Sequence, residues 1–439
     1  AQSSDAATQV DNMPEPLSAR FVDSFAYKTV RDRLPVILAK VADSVCRRKS
    51  EFNSTDMDRV KSVIIGGVSR LRNELQTDKP LLPLSDSASD TTAWNDYLAE
   101  LTETLGRAPS WFKEPWLYVE CYMYRRLLEL VNLADLTVGI DLFAPEKRQS
   151  LLGSAALAAA AAEAALAAEA EAEAANGAPQ LRRLLRLCLS ANLADLSLSA
   201  LAEAHQLAAD DANSSGLIIL LDHTDQFVDC LRQRGPAVAV VHIVLDNVGP
   251  ELVSDLCLAE CLLRGGHAAK VRLHTKAAPW FVSDATELDL AATLDWLTSG
   301  SAGQSSVQLA ESLRSRLSTG QLSSGSDPFW TTWLAFADME TSPLGAKLYK
   351  KLSQADCVVL KGDLNYRKAV SDLAWPPTAP LAKAVGRFRP APLLLVRTLK
   401  SNVVAGLAPG QAEAAAAQHS DWMVAGKCGV LQFLPAENA

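Results

Sequence analysis

The spacing of apolar residues changes near the middle of the chain. Before about residue 215, apolar positions recur every three or four residues, which predicts a series of amphipathic helices. The alanine- and glutamate-rich stretch 151–177 is also a strong helix former, and we expect it to be a solvated surface helix. The other predicted helices cover residues 26–47, 55–76, 93–105, 116–133 and 179–189.

After that point, short apolar runs alternate with helical segments. The runs cover residues 216–221, 237–245, 268–274, 357–360, 392–396 and 429–433. This alternation is typical of βα units and predicts a mainly parallel sheet. Segment 299–327 is rich in Ser and Gly, and we expect surface loops there around one helix at 307–317. The sequence thus predicts a mainly helical N-terminal domain, residues 1–213, packed on an α/β sandwich domain, residues 214–439.

The longest of these runs ends in two side chains suited to a metal. Residues 237–245 are rich in Val, as in strands buried on both faces, and Asp246-Asn247 follow directly. Gly249-Pro250-Glu251 then predicts a turn into a helix with Pro in its first turn. A carboxylate and an amide at the carboxyl end of a strand offer hard oxygen ligands to a divalent cation such as magnesium or manganese. The alternative is that the pair serves only as a helix cap and turn.

Other predicted strands also run into polar clusters, at residues 274–276, 279–284, 361–368 and 397–400. Parallel strands bring their carboxyl ends to one edge of a sheet, so we expect these clusters to converge. Together they supply acids, amides and cations, which suits metal-assisted chemistry on a phosphate ester. Taken singly, each has a structural alternative. Asp284 fits a helix N-cap, His274 fits a packed core histidine, and Arg397 and Lys400 fit surface charges.

Composition excludes several classes of function. The chain of 439 residues has a formal net charge of −9 and a pI of about 5.3, which argues against nucleic-acid binding. No uncharged apolar run is long enough to predict a membrane span. The eight cysteines form no CxxC pair, so we expect reduced thiols and a cytoplasmic location. The motifs of dinucleotide-binding enzymes, phosphate-loop proteins, zincins and serine hydrolases are absent, and the oligomeric state stays open.

At these clusters the chain resembles a known family, the metal-dependent damage-control phosphatases, long described as a domain of unknown function. The resemblance is to the subgroup with an Arg-Thr-x-Lys motif, seen here as Arg397-Thr398-Leu399-Lys400. It extends from about Phe21 to Phe433, and the block KGDLNYRK at 361–368 is its most distinctive part. Further matching blocks are EPWLYVECYMYRR at 114–126, DNVGPELVSDL at 246–256, HTKAAPWFVSD at 274–284, DPFWTT at 327–332 and WMVAGKCGVLQF at 422–433.

The resemblance implies a three-layer α/β/α sandwich with a mainly parallel sheet and a helical N-terminal domain. It implies hydrolysis of phosphate esters of small metabolites, including fructose 1-phosphate and fructose 6-phosphate, supported by manganese, cobalt or nickel, with magnesium as a further candidate. The implied metal ligands are Asp246, Asn247 and Asp284. The substrate contacts that we expect are Glu120, Asp246, Asn247, Asp363, Leu364, Asn365, Tyr366, Arg367, Arg397 and Lys400.

We expect three residues to carry the chemistry, namely Asp246, Asp363 and Lys400. Lys400 and Arg367 would offset the charge that develops on the phosphoryl oxygens. Asp363 would hold a sugar hydroxyl or take part in proton transfer. The attacking group is either a water or Asp246, and we favour water because a metal-bound carboxylate is a poor nucleophile.

The sequence leaves two alternative functions and one structural alternative open. Members of the same subgroup are also described as protein-glutamate methyltransferases that use S-adenosylmethionine, which gives one alternative function. A non-catalytic protein that binds sugar phosphates is the other, because fold alone does not fix function. Glu120 and Arg125 either reach the active-site edge or tie the two domains together.

Overall fold

A computed structural model describes residues 13–169, 178–191, 217–235 and 238–437 of the chain. In its N-terminal part, π-helical turns at Thr29–Arg33 and Val60–Ile65 join shorter α-helices into two continuous helical segments. These segments lie where the sequence predicts the helices 26–47 and 55–76. The predicted helices at 93–105, 116–133 and 179–189 are also confirmed. The N-terminal helices are α1 (Phe25–Lys28), α2 (Leu34–Arg47), α3 (Ser54–Arg59), α4 (Gly66–Gln76), α5 (Thr91–Leu105), α6 (Trp116–Ala134), α7 (Ala144–Leu152), α8 (Ala155–Leu166) and α9 (Pro179–Ser190).

The alanine-rich helix α8 differs from its prediction. It ends at Leu166, and it is not a solvated surface helix, because residues such as Leu157, Ala158 and Ala165 are fully buried. Alanine is small enough to let two helix backbones approach closely, and α8 packs against the helix Pro250–Arg264. Residues 170–177, the rest of the predicted segment, lie outside the described residues.

Seven strands of the described residues form one sheet in the order β1-β7-β6-β5-β2-β3-β4. All neighbours are parallel except β6 and β7, which are antiparallel. The predicted mainly parallel α/β fold is therefore confirmed. The strands are β1 (Ile218–Asp222), β2 (Val240–Val244), β3 (Lys270–Lys276), β4 (Leu322–Asp327), β5 (Cys357–Lys361), β6 (Leu393–Thr398) and β7 (Cys428–Leu434).

Strand β4 was missed by the sequence reading, which expected loops over that segment. Its sequence, LSSGSD, carries one apolar residue, and most of its side chains are only half-buried. It lies at the edge of the sheet and pairs only with β3. An edge strand needs no continuous apolar run, because only part of its surface faces the core.

Helices cover both faces of the sheet and make three layers. Alternate residues of one strand enter different cores. Val244 belongs to the core that includes residues of α2, α4, α5 and α6, while Ile243 belongs to the core that includes residues of α8 and α9. The second part of the chain contributes the helices α10 (Thr224–Arg234), α11 (Pro250–Arg264), α12 (Glu287–Thr298), α13 (Gln304–Thr319), α14 (Ala346–Leu352), α15 (Gly362–Ala369), α16 (Leu381–Val385) and α17 (Gln411–Gln418). The predicted boundary at 213/214 lies outside the described residues and stays a prediction.

The fold shows the state of the cysteines and the length of the apolar helices. All eight cysteines are free thiols, as expected. Within the described ranges, no single helix has the length and apolar character to cross a membrane. The bent pair Ala144–Leu152 and Ala155–Leu166 meets that requirement only when its two helices are taken together, and by length and composition alone.

Candidate functional site

The carboxyl ends of β2 and β5 lie side by side at the point where the direction of strand addition reverses. From β2 the chain adds β3 and β4 on one side, and it then returns to add β5 and β6 on the other. Open α/β sheets bind ligands in the crevice that such a switch point leaves outside the strand ends. Asp246 and Asn247 follow β2, and Gly362 and Asp363 follow β5, so two of the predicted clusters meet at this crevice.

The backbone of Gly362 lies directly against the Asp246 carboxylate. Gly362 has a φ of +83°, and a Cβ atom added to it would overlap the carboxylate of Asp246. Glycine is therefore needed for both the conformation and the close approach. This contact brings the first turn of α15 next to the side chain that follows β2.

The amide of Asn247 has a fixed orientation. Its Nδ2 donates to Asp246 Oδ2 at 2.9 Å and to Glu251 Oε1 at 2.7 Å. Its Oδ1 accepts a hydrogen bond from Ser283 Oγ at 2.6 Å, and its backbone pairs with that of Asp284. Because the amide nitrogen is held between two carboxylates, the amide oxygen is the atom left to act as a ligand.

Asp284 reaches the crevice through a tight turn after β3. Phe281 and Val282 have positive φ angles of 45° and 71°, a conformation that is a clear outlier for a β-branched residue such as valine. The Phe281 ring stacks on Tyr124 with centroids 4.6 Å apart, which helps to hold the turn. Asp284 does not cap the next helix, since Thr286 forms that N-cap with a capping box. Asp284 is thus placed beside Asn247 instead.

Lys276 is the cation that faces this group of oxygens. Its Nζ lies 3.1 Å from Asp284 Oδ2 and donates to the carbonyl of Leu245 at 3.2 Å. The side chains of Lys276 and Asp284 are each only 2% exposed. Among the described residues, no donor completes a hydrogen bond to Asp284 Oδ2, so this buried oxygen has a charge partner without a well-directed hydrogen bond.

Electrostatics make this cluster a good place for a cation. Burial raises the pKa of Asp246 well above its usual value, the nearby charges of Glu251 and Asp284 raise it further, and Lys276 opposes them. Burial also raises the pKa of Asp284, again against the charge of Lys276. The donor set of two carboxylates and one amide oxygen fits an oxygen-preferring divalent cation. In the described part of the chain, no group of three or more His, Cys, Asp or Glu side chains has a metal-binding arrangement, so a cation here would also need the Asn247 amide oxygen.

Asp363 lies at the start of α15, where it meets the segment after β6. Its Oδ1 accepts from Arg397 Nε at 2.8 Å, from the backbone N–H of Lys400 at 3.1 Å and from Ser401 Oγ at 3.0 Å. Burial acts to raise the pKa of Asp363, yet the positive charges of Arg397 and Arg367 outweigh it and hold the pKa below its usual value. Asp363 is therefore an ionised carboxylate at neutral pH. The structure brings Asp363, Arg397 and Lys400 together, as the sequence predicts.

Other side chains of the KGDLNYRK block point into the protein. Asn365 donates to the carbonyls of Lys361 at 2.7 Å and Leu245 at 3.2 Å, and the Tyr366 hydroxyl donates to Gln432 Oε1 at 3.1 Å. Leu364 belongs to the hydrophobic core. The groups of this block that remain for a ligand are the backbone N–H groups of the first turn of α15, which have no partner within the helix.

Arg367 forms an ion network away from the crevice oxygens. Its Nε and Nη2 donate to Asp372 at 2.8 and 3.0 Å, and its Nη1 donates to Glu120 at 2.7 Å. The Trp116 ring covers its guanidinium at 3.6 Å. Glu120 thus ties α6 to α15, while Arg125 bonds within the N-terminal helices to acids such as Asp86. The Glu120 contact matches the alternative that this residue ties the two domains together, whereas Arg125 fits neither alternative, because its acidic partners lie in the N-terminal part.

Sequence reading left out four residues that shape the crevice. Glu251 and Ser283 orient the Asn247 amide, Lys276 balances Asp284, and Gly362 makes room for Asp246. Each lies within a segment that the sequence singled out. Their spacing alone did not show which side chains turn towards the crevice.

Comparisons with known proteins agree with the resemblance found in the sequence. The sequence model of the damage-control phosphatase ARMT1-like domain matches residues 29–415. The chain is 40% identical over 445 residues to a protein of Danio rerio named damage-control phosphatase ARMT1, covering 96% of this chain and 97% of the relative. Proteins of the same name from Xenopus tropicalis and Homo sapiens are 39% and 35% identical, with 96% of this chain and 98% of each relative covered.

Proposed function

The chain belongs to the damage-control phosphatase ARMT1-like family, and on that premise we propose that its switch-point crevice is a metal-dependent phosphatase site for small phosphorylated metabolites. Sugar phosphates such as fructose 1-phosphate and fructose 6-phosphate are the substrates that we propose. The observation that carries the proposal is the convergence of the buried Asp246 and Asp284 carboxylates with the Asn247 amide at the ends of β2 and β3, next to the N-terminus of α15.

We assign the metal to Asp246, Asn247 and Asp284. The buried Asp284 carboxylate, the raised pKa of Asp246 and the fixed amide of Asn247 all support a cation at this place. Manganese, cobalt and nickel are the candidates, with magnesium as a further one. When bound, such a cation supplies a Lewis acid that polarises a phosphoryl oxygen.

The phosphate group would lie against the first turn of α15. Helix N-termini carry free N–H groups and a partial positive charge, and they bind anions for that reason. Asp363 and Leu364 supply the first of these N–H groups, with Lys400 close by through its backbone bond to Asp363. Lys400 would add a point charge that stabilises the negative charge developing on the phosphoryl oxygens.

Asp363 would orient the organic part of the substrate. Its Oδ1 already accepts hydrogen bonds from Arg397, Lys400 and Ser401, so we assign Oδ2 to a substrate hydroxyl. An ionised carboxylate accepts hydrogen bonds from hydroxyl groups, which suits a sugar. We assign the attack to a water, because Asp246 is occupied by Asn247 and pressed against Gly362.

Methyl transfer from S-adenosylmethionine is the alternative activity, and no contact in the crevice favours it. The turn after β1, Asp222-His223-Thr224, has no glycine, whereas nucleotide-binding α/β folds usually have a glycine-rich turn there. Two buried carboxylates beside an amide also serve no evident purpose in transferring a methyl group to a carboxylate.

A phosphate-release screen tests the proposal. The purified chain is assayed against a panel of sugar phosphates and other phosphate monoesters, with manganese chloride or with a chelator. We expect turnover that depends on the metal and is highest for hexose phosphates. No release from any ester, or methylation of a glutamate-rich acceptor by labelled S-adenosylmethionine without release, would reject it.

A matched pair of lysine variants locates the phosphate. We expect Lys400→Met to lower kcat/KM by on the order of 10²-fold, as for the loss of one transition-state donor. Lys427→Met is the control, because Lys427 is 46% exposed and lies 3.8 Å from its acidic partner Asp421. Equal effects of the two changes would contradict the assignment of Lys400.

A further inference from the structure

Lys276 occupies an unusual place for a buried lysine. It is the last residue of β3, and its ammonium lies between the carbonyl of Leu245, at the end of β2, and the carboxylate of Asp284. The backbone N–H of Lys276 also bonds to the carbonyl of Ala285, which fixes the root of the side chain. The ammonium therefore links three segments that border the crevice.

The charge of Lys276 acts on the same oxygens that we assign to the metal. Its Nζ is 3.1 Å from Asp284 Oδ2, and its charge acts on both Asp284 and Asp246. Glu251 adds a third carboxylate through the Asn247 amide. Without a metal, the buried ammonium groups of Lys276 and Lys361 offset the charge of these acids, and removing Lys276 leaves uncompensated buried charge at Asp284.

From this geometry we propose that Lys276 is a resident counter-ion, which orders the Asp284 carboxylate before the metal arrives and then competes with the metal for it. The inference rests on the proposed metal site and assigns a new residue to it. Lys276 is a positioning residue in this scheme, because it acts through Asp284.

The competition has two consequences of opposite sign. The ammonium stabilises the fold of the metal-free protein by neutralising part of the buried charge. It also weakens metal binding, because the cation must draw an oxygen away from an existing ion pair. A protein with such a counter-ion stays folded without metal and exchanges its metal readily.

Lys276→Met separates the two effects, because methionine keeps most of the side-chain length and removes the charge. We expect the metal-free variant to unfold about 5 °C or more below the wild type, from the loss of a buried pair. We also expect its affinity for manganese, measured by calorimetry, to rise about tenfold, which is a usual size of coupling between two binding events. Added manganese should then recover most of the lost thermal stability.

Arg125→Met is the matched control. Arg125 is also buried, at 2% exposure, and pairs with Asp86 and Asp90, neither of which is a proposed metal ligand. We expect it to lower the unfolding temperature equally with and without manganese and to leave the affinity unchanged. The difference between the two variants isolates the coupling to the metal.

A double variant keeps the test decisive if Lys276→Met does not fold. In Lys276→Met with Asp284→Asn, the unpaired charge is gone, so we expect the folding defect to be largely suppressed. A defect that persists in the double variant would overturn the counter-ion role. An unchanged or weaker manganese affinity of folded Lys276→Met would overturn the competition. A wild-type protein that binds no manganese would reject the metal site itself, while the metal-free unfolding temperatures would still report on the ion pair.

Discussion

Two buried charged clusters in this molecule differ in how fully their acids are satisfied. The crevice cluster consists of Asp246, Glu251, Lys276 and Asp284, and the junction cluster consists of Glu120, Arg367 and Asp372. Both lie inside the protein, and both have more carboxylates than cations. In the junction cluster one arginine donates three directed hydrogen bonds, and in the crevice cluster one lysine meets an oxygen that lacks any.

The comparison teaches how a structural ion network differs from a site. A planar guanidinium fits two carboxylates at once, and the Trp116 ring over Arg367 excludes water from that pair. Every strong donor of the junction cluster is used within the protein. In the crevice cluster, one ammonium contacts a buried carboxylate oxygen that has no directed hydrogen bond, and such a group points to a ligand.

Asp246→Asn should give the largest effect on activity. The change removes a proposed ligand, and we expect phosphatase turnover to fall on the order of 10²–10³-fold, as for the loss of a group that stabilises the transition state. The stability of the metal-free protein should not fall, because a buried charge of raised pKa disappears. Kinetics with added manganese and urea unfolding measure both. Normal turnover would remove Asp246 from the site.

Gly362→Ala should lower both the stability of the protein and its metal binding. A methyl group there overlaps the Asp246 carboxylate, and a φ of +83° is strained for alanine. We expect a loss of about 1–3 kcal/mol in the free energy of unfolding from the backbone alone, together with weaker metal binding. Gly410→Ala is the control, because its φ is +88° and a Cβ atom there has open space. If the two variants behave alike, the contact with Asp246 has no role.

Arg367→Met should lower the stability of the protein more than its turnover. Removing one member of a buried, hydrogen-bonded network costs about 3–5 kcal/mol of stability. Because Arg367 faces Asp372 and Glu120, we expect the turnover of the folded fraction to fall far less than in Asp246→Asn. Unfolding curves and kinetics on the same preparations measure the two losses separately. A 10²-fold loss of turnover at normal stability would show that Arg367 contacts the phosphate after all.

The buried histidine pair adds a case of burial without any acidic partner. His242 and His274 contact each other at 3.2 Å, and burial, with nearby Arg272 and Lys351, lowers the pKa of His242 to about 4. The unfolded histidine, with a pKa of 6.5, then binds its proton first as the pH falls, so the unfolded state is favoured progressively between pH 6.5 and about 4.

We expect His242→Gln to lessen this acid destabilisation by roughly 3 kcal/mol at pH 4, which follows from the size of the pKa difference. Urea unfolding of both proteins at several pH values checks the prediction, and the difference between them removes the contribution of the titrating carboxylates. An identical slope for the two proteins would contradict the assignment.

The sequence predicted most of the helices, six of the seven described strands and the meeting of the polar clusters at the strand ends. Those features depend on apolar periodicity and on the direction of parallel strands, which are local or nearly so. Strand β4 escaped because an edge strand with the sequence LSSGSD has almost no apolar pattern. The burial of α8 escaped because alanine suits both a solvated surface and a tight helix contact.

The side chains of the crevice were harder to assign than their segments. Arg367 and Asp363 both lie on α15, four residues apart, yet one turns to the junction cluster and the other to Lys400. That choice is set by partners far along the chain, such as Glu120 for Arg367. Motif spacing therefore located the site but did not separate its structural side chains from its open ones.

Manganese binding to the metal-free protein tests the central claim most directly. Calorimetric titration of the wild type with manganese chloride should show one site per chain, and Asp284→Asn, which keeps the shape of the side chain, should abolish or strongly weaken it. Arg367→Lys, which changes the junction cluster alone, should bind as the wild type does. Equal binding by the wild type and Asp284→Asn, or no binding at all, would contradict the account.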